Sequence, residues 1–323
     1  MNLWKNRRIV SQQGLFITGE ESYKPTKLRS NQIIRRERKK IKRKAKTIAQ
    51  ERIRTMVSSR EALADNNKKH MSSRLRRIKP DILGPQDLRL LRLKANQRLG
   101  SGGYGTVFRI KYKHQDAALK LAHQSSRSIQ RSFKQERNVL EILQGEAGAP
   151  RILAYCQDPP AIVMEFIPGR DFLQIVQDKG ISDINKLQML PEIGRQLQKL
   201  HQHNIVHVDF KANNIMVEVQ PKENPSSNSL CMRIMDFGMA YPVGSLLQLR
   251  SNGAAWYAPE YRQKGGGFTS TSGDVYSFGY LIKHTVRRLQ RPPSEKYLEL
   301  ASMCMRNKQR HRLPLSSALE TLD

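Results

Sequence analysis

His207–Asn214 reads HVDFKANN, and 22 residues after Asn214 the chain reaches Asp236-Phe237-Gly238. Together the two segments supply an acid, a lysine, an amide and a second acid, the set that phosphoryl transfer needs. Asp209 can receive or orient a hydroxyl proton, and Lys211 can neutralise a migrating phosphoryl group. Asn214 and Asp236 offer the hard oxygen ligands that magnesium prefers. None of these roles tolerates a generic polar substitute.

Upstream, from Leu88, the pattern alternates short β-like runs with turns: LRLKANQRLG, TVFRIKY and AALKLA. A helix is expected over SIQRSFKQERNVLEIL, entered through serines that can cap it, followed by strands RILAYC and AIVMEFI. Beyond Pro168-Gly169 helical patterns dominate (DFLQIVQDKG and INKLQMLPEIGRQLQKLHQH). Two strand-like runs, NIMVEV and CMRIMDF, interrupt them, joined by the turn-rich QPKENPSSNS. A β-rich half followed by an α-rich half implies an α+β fold of two lobes with a cleft between them, over residues 88–323.

Several residues of the β-rich half bear on chemistry. Gly100–Gly105 reads GSGGYG between two strand patterns, where a dinucleotide-type loop would instead open a helix. The run fits a plain hairpin turn and equally a backbone cover over phosphates, free of Cβ obstruction. Lys120 lies inside an apolar strand, where an isolated lysine usually snorkels to the surface. Glu136, three residues after Phe133 and four before Leu140, falls on the apolar face of its helix, where a charge needs a partner. Lys120 is the natural one. His201, His203 and His207 do not make a convincing metal cluster. His207 fits better as a packed ring whose hydrogen bond shapes the loop carrying Asp209.

The charge is uneven: residues 1–79 hold 24 Lys or Arg against 6 Asp or Glu, out of a net +29 for all 323 residues. Residues 1–82 therefore read as a basic, largely disordered arm. Within it RRERKKIKRKAK (Arg35–Lys46) carries nine basic groups and one acid, while Ile41, Ala45, Ile48, Ala49, Ile53 and Met56 fall at helical spacing. Residues 35–60 are thus a candidate surface for nucleic acid or an acidic protein, and a candidate nuclear-import signal. Three cysteines (Cys156, Cys231, Cys304) without CxxC spacing argue for a reducing compartment. MNLWKNRRIV lacks a signal peptide's apolar stretch, and no apolar run approaches the ~20 residues that span a bilayer. A soluble intracellular protein, nuclear or nucleocytoplasmic and without membrane contact, is expected.

Taken in chain order, GSGGYGTV, AALK, the helix glutamate, VMEF, HVDFKANN, DFG, APE (Ala258–Glu260) and DVYSFG (Asp274–Gly279) resemble the eukaryotic protein kinases from about Leu90 to Leu322. The resemblance implies that Lys120 holds the α- and β-phosphates of ATP and pairs with Glu136, that Asp209 is the catalytic base, and that Lys211 assists the γ-phosphate. Asn214 and Asp236 would bind Mg2+, with Mn2+ as an alternative ion. Gly100, Ser101, Gly102, Gly103, Tyr104, Gly105 and Thr106 would cover the phosphates. Leu99, Val107, Ala118 and Met216 would sandwich adenine, with Met164 guarding the back pocket. Glu165 and Ile167 would supply the backbone hinge, and Asp171 would meet the ribose. Lys211, two places after Asp209, resembles serine/threonine enzymes, and NGAAWYAPE resembles their tyrosine-kinase-like group.

The chain departs from that pattern in three places. Gly253 stands where those enzymes carry a Ser or Thr whose hydroxyl contacts the catalytic acid and lysine. Val208 replaces the arginine that precedes the acid and receives an activation-segment phosphate. Only 50 residues run from Asp274 to the end, with Arg312 in HRLP as the candidate anchor. The expected function is transfer of the γ-phosphate of ATP to protein serine or threonine. A catalytically dead pseudokinase scaffold and a basic nucleic-acid-binding module are the alternatives.

Overall fold

The computed structural model describes residues 79–220, 229–249, 253–291 and 295–323. The arm to residue 78, including the candidate helix from Ile41 to Met56, lies outside the described residues, as does most of the QPKENPSSNS insert.

One sheet organises the first half: β1 (Asp81–Ile82), β2 (Gln97–Ser101), β3 (Gly105–Tyr112), β4 (Gln115–Ala122), β5 (Ile152–Cys156) and β6 (Ala161–Glu165), in the order β1-β5-β6-β4-β3-β2. The β3–β4 hairpin turns through Lys113 and His114, both at positive φ (46° and 67°), the left-handed pair whose twist matches that of the strands. Its register sets Val107 opposite Lys120, and the β4–β6 register sets Ala118 opposite Met164. Cross-strand partners share a face, so all four side chains line the same side of the sheet.

Two expectations change here. LRLKANQRLG reads as a strand, but its first three residues complete a helix, α1 (Pro85–Leu93). Pro85 fits the first helical turn, where its missing N–H is not needed, and Asp87 Oδ2 accepts the Gly84 N–H at 3.0 Å. Leu88 and Leu91, three apart, face the sheet core, so the spacing is helical as much as alternating. In addition Asp81 and Ile82 form β1, parallel to β5 at Ala154 and Tyr155. The folded region thus takes in residues that the sequence reading left in the arm.

Across the sheet lies α2 (Arg127–Leu143), where Ser126 Oγ accepts the Ile129 N–H and Gln144 ends the helix in the left-handed conformation. Its buried stripe is Ile129, Phe133, Glu136, Val139, Leu140 and Leu143. The second half contains β7 (Arg170–Asp171), α3 (Phe172–Gln177), α4 (Asp183–Gln202), β8 (Ile205–Val206), β9 (Ile215–Gln220), β10 (Ser229–Ile234), β11 (Tyr241–Pro242) and β12 (Leu246–Leu247). After these come α5 (Pro259–Arg262), β13 (Gly267–Phe268), α6 (Thr271–Val286), α7 (Glu295–Cys304) and α8 (Leu315–Leu322). One apolar cluster runs from Phe133 and Leu140 of α2 through Phe172, Leu190, Phe210 and Phe237 to Phe278 of α6, so the two lobes share a core. Gly169, at φ +138°, crosses between them where a Cβ would collide with the Val217 carbonyl.

The segment after Asp236 is laid on this scaffold by two short antiparallel pairs, β11 on β8 and β12 on β13. Its far end is tied by a bidentate ion pair. Arg312 Nη1 and Nη2 donate to Glu260 Oε1 and Oε2 at 2.7 and 2.6 Å, and the guanidinium also donates to three backbone carbonyls. The anchor expected at Arg312 is therefore formed. Its side chain has no exposure, so removing one partner strands a buried charge. Arg312→Leu or Glu260→Gln should lower the unfolding free energy by about 3–5 kcal/mol, read from urea midpoints. A loss below about 1 kcal/mol would instead place the pair among surface bridges.

Candidate active site

Three elements converge on one ammonium. Lys120 Nζ, from β4, donates to Glu136 Oε2 on α2 at 2.7 Å and to Asp236 Oδ1 at 2.8 Å. Burial works against the Lys120 charge, but the two carboxylates outweigh it and hold its pKa above the ordinary lysine value. Burial raises the Glu136 carboxyl, with Lys120 opposing. Desolvation also works against the Asp236 charge, yet Lys120 dominates and leaves that carboxyl below its usual value. Glu136 is 2% exposed whereas the Asp236 side chain is 45% exposed. One carboxylate is therefore structural and the other open to solvent.

Below this pair, the loop after β8 carries the second group of residues. Val208 is buried at φ +69°, a strained setting for a β-branched residue. Asp274, fully buried on α6, holds it there by accepting the His207 and Val208 N–H groups at 2.7 and 2.8 Å. His207 Nε2 donates to the Met235 carbonyl at 2.9 Å and its ring packs on Phe210 and Phe237, tying this loop to the one that carries Asp236. His201 instead meets Asp274 and His203 meets Glu146, so the three histidines diverge. Among the described residues no group of three or more His, Cys, Asp or Glu is arranged to hold a metal.

The carboxylate that this loop presents is held at both oxygens. Lys211 Nζ donates to Asp209 Oδ2 at 2.6 Å, Asn214 Nδ2 to the same oxygen at 3.2 Å and to the Asp209 carbonyl at 2.9 Å. Trp256 Nε1 donates to Oδ1 at 2.8 Å. Because the Asn214 amide nitrogen is spent on Asp209, its oxygen remains available. That oxygen and the exposed Asp236 carboxylate are hard donors of the kind Mg2+ takes while keeping most of its waters. The residues present fit the ion.

The other candidate residues differ in burial. Ala118, Met164 and Ile167 are buried, Val107 and Met216 partly so, and Leu99 and Tyr104 exposed. The glycine-rich turn closes with Gly102 N–H on the Gly105 carbonyl at 2.9 Å. Ser101 and Thr106 hydroxyls both reach His123 Nε2, at 3.3 and 3.0 Å, tying the turn to the end of β4. A Cβ on Gly105 would collide with the Leu121 carbonyl, whereas one on Gly100, Gly102 or Gly103 would meet open space. Glu165 carries an ion pair to Arg233 at 3.0 Å, and Asp171 Oδ1 caps α3 through the Gln174 N–H at 2.8 Å. Both side chains thus have structural work besides the roles expected of them.

A sheet-borne ammonium facing an open carboxylate, above a loop presenting acid, lysine and amide, is the arrangement of a two-lobed phosphotransferase domain. A family profile described as protein tyrosine and serine/threonine kinase matches residues 93–322, and the chain belongs to that family. It is 28% identical over 233 residues to "Probable serine/threonine-protein kinase mkcB" of Dictyostelium discoideum, covering 66% of this chain and 29% of that protein. To mitogen-activated protein kinase kinase kinase 10 of Mus musculus it is 27% identical over 212 residues, covering 62% and 22%. To mitogen-activated protein kinase kinase kinase 11 of Homo sapiens it is 29% identical over 203 residues, covering 59% and 23%. The chain spans under a third of the length of these relatives. Such matches agree with the tyrosine-kinase-like resemblance of NGAAWYAPE.

Trp256 is the contact that sequence reasoning missed. The available signal was Gly253, which leaves Asp209 without a donor from that position and an indole three residues further on. Lys120→Met removes the cation that holds the Asp236 carboxyl low, so the Asp236 titration midpoint should move upward, read by carboxyl 13C NMR. The sign follows from linkage. A depressed carboxyl contributes stability above its unfolded pKa and loses it as pH falls through the folded value, so the variant should also lose stability at a higher pH on acidification. An unmoved midpoint would show that Lys120 does not govern Asp236.

Proposed function

We propose that this chain is an ATP- and Mg2+-dependent serine/threonine protein kinase, with Mn2+ able to replace Mg2+. The observation that carries the reading is the Lys120 ammonium paired with both Glu136 and Asp236. A pseudokinase usually lacks one of the cation, acid or amide groups, and this chain retains Lys120, Asp209, Asn214 and Asp236. Among the described residues nothing favours the scaffold alternative.

In this reading Lys120 binds the α- and β-phosphates while Glu136 fixes its position; Asn214 and Asp236 would hold the metal, which would supply charge neutralisation on the phosphates. Asp209 accepts the proton of a serine or threonine hydroxyl as that oxygen forms its bond to the γ-phosphorus. Lys211 meets the charge of the transferring group, and the bond to the departing ADP breaks. Val208 offers no cation to an activation-segment phosphate, so the active arrangement is reached without that contact. Asp209→Asn should lower turnover by about 100-fold or more while ATP affinity stays within about twofold, because Asp209 acts on the acceptor and not on ATP. Equal turnover in the variant would remove Asp209 from the reaction.

The reading extends to the arm, on sequence grounds. Nine basic groups between Arg35 and Lys46 support an anionic partner, nucleic acid or an acidic protein, and nuclear accumulation through the same run; salt tells the two partners apart. The logarithm of nucleic-acid affinity should fall with log salt with a slope of several units, and a chain starting at residue 80 should lose that binding. Binding by the truncated chain as tight as by the whole would assign it elsewhere.

A further inference from the structure

We propose that Trp256 is a positioning residue for the catalytic pair, holding Asp209 through its indole N–H and Lys211 through its ring; this rests on the kinase reading of the site. Asp209 Oδ2 is already anchored by Lys211 and Asn214, and Trp256 Nε1 donates to Oδ1, at 2.8 Å. With only Oδ2 held, the carboxylate can swing about that contact. With both held, the lone pair left on Oδ1 has a fixed direction in which to accept a hydroxyl proton. Lys211 Nζ lies 5.0 Å from the centre of the same indole, so one ring sets the acid and the lysine relative to each other.

The ring is itself fixed. The Ser277 hydroxyl donates to the Trp256 carbonyl at 2.8 Å, and Tyr257 and Tyr280 flank the indole with ring centres 5.5 and 6.2 Å away. An indole N–H donates only, so Trp256 can orient Asp209 without competing for the proton that Asp209 receives. Gly253, lacking a side chain, brings no hydroxyl to the acid or the lysine. The nearby Tyr257 hydroxyl lies within reach of both Met239 Sδ, at 3.7 Å, and the Asp209 carboxylate; burial and that carboxylate together hold the Tyr257 phenol above its ordinary pKa.

Two measurements on the full-length chain test the assignment. Trp256→Phe keeps an aromatic ring over Lys211 but removes the N–H. It should lower kcat by about 10-fold to 100-fold, the value of one charge-assisted hydrogen bond, with KM for ATP and the thermal midpoint unchanged. A kcat within about twofold of the parent, or a loss confined to KM for ATP, would overturn the proposal. The second measurement does not depend on activity. The chain has two tryptophans, so Trp4→Phe leaves Trp256 as the single emitter. Adding Asp209→Ala should then shift its emission and its acrylamide quenching, and an unchanged spectrum would overturn the contact. A parent chain that transferred no phosphate would count against the kinase reading, and the emission arm would still decide this one.

Discussion

One ammonium, Lys120 Nζ, is shared by a carboxylate on the helix above and a carboxylate on the loop below. The rest of the site depends on it. Glu136 sits inside an apolar stripe that would reject its charge unpaired, so α2 docks where it does only if Lys120 meets it. Asp236 is drawn to the same cation from the other lobe, and the shared apolar cluster behind them, Phe133 to Phe237, keeps the distance between the elements short. Burial makes the Lys120–Glu136 pair exacting, because the Glu136 carboxylate alone in that setting is destabilising.

A second buried charge organises the lower half. Asp274 spends its carboxylate on the backbone of His207 and Val208, compensating a conformation that a β-branched residue resists. The strain has a geometrical use, since it turns the chain so that Asp209, next in sequence and itself buried, faces Lys211 and Asn214. His207 then joins this loop to the Met235 carbonyl, one residue before Asp236. Asp209 and Asp236 are thereby mechanically linked.

Much of this was legible in the sequence where chemistry and spacing coincide. Glu136 on the apolar face of its helix announced its partner, HVDFKANN and DFG announced the acids and the amide, and Arg312 was read as the anchor of the C-terminal region, though its partner Glu260 was not. The β-then-α order implied two lobes. Less legible were features that depend on contacts between distant positions. LRLK alternates like a strand, and only Pro85 with the Asp87 carboxylate on Gly84 makes it the end of a helix. Asp81 and Ile82 look like linker until β5 pairs with them. Trp256 is flagged locally only by Gly253 three residues before it, because spacing alone does not tell an indole that packs from one that donates to an acid 47 positions earlier.

The central claim is that these residues form a working metal-dependent phosphotransfer site. The most direct test is transfer of γ-labelled phosphate from ATP to a mixed serine/threonine peptide library by the purified full-length chain, with Mg2+ and again with excess chelator. The account predicts phosphoserine or phosphothreonine in the first case and none in the second. No labelled product with Mg2+ or Mn2+, or labelling that survives chelation, would contradict it.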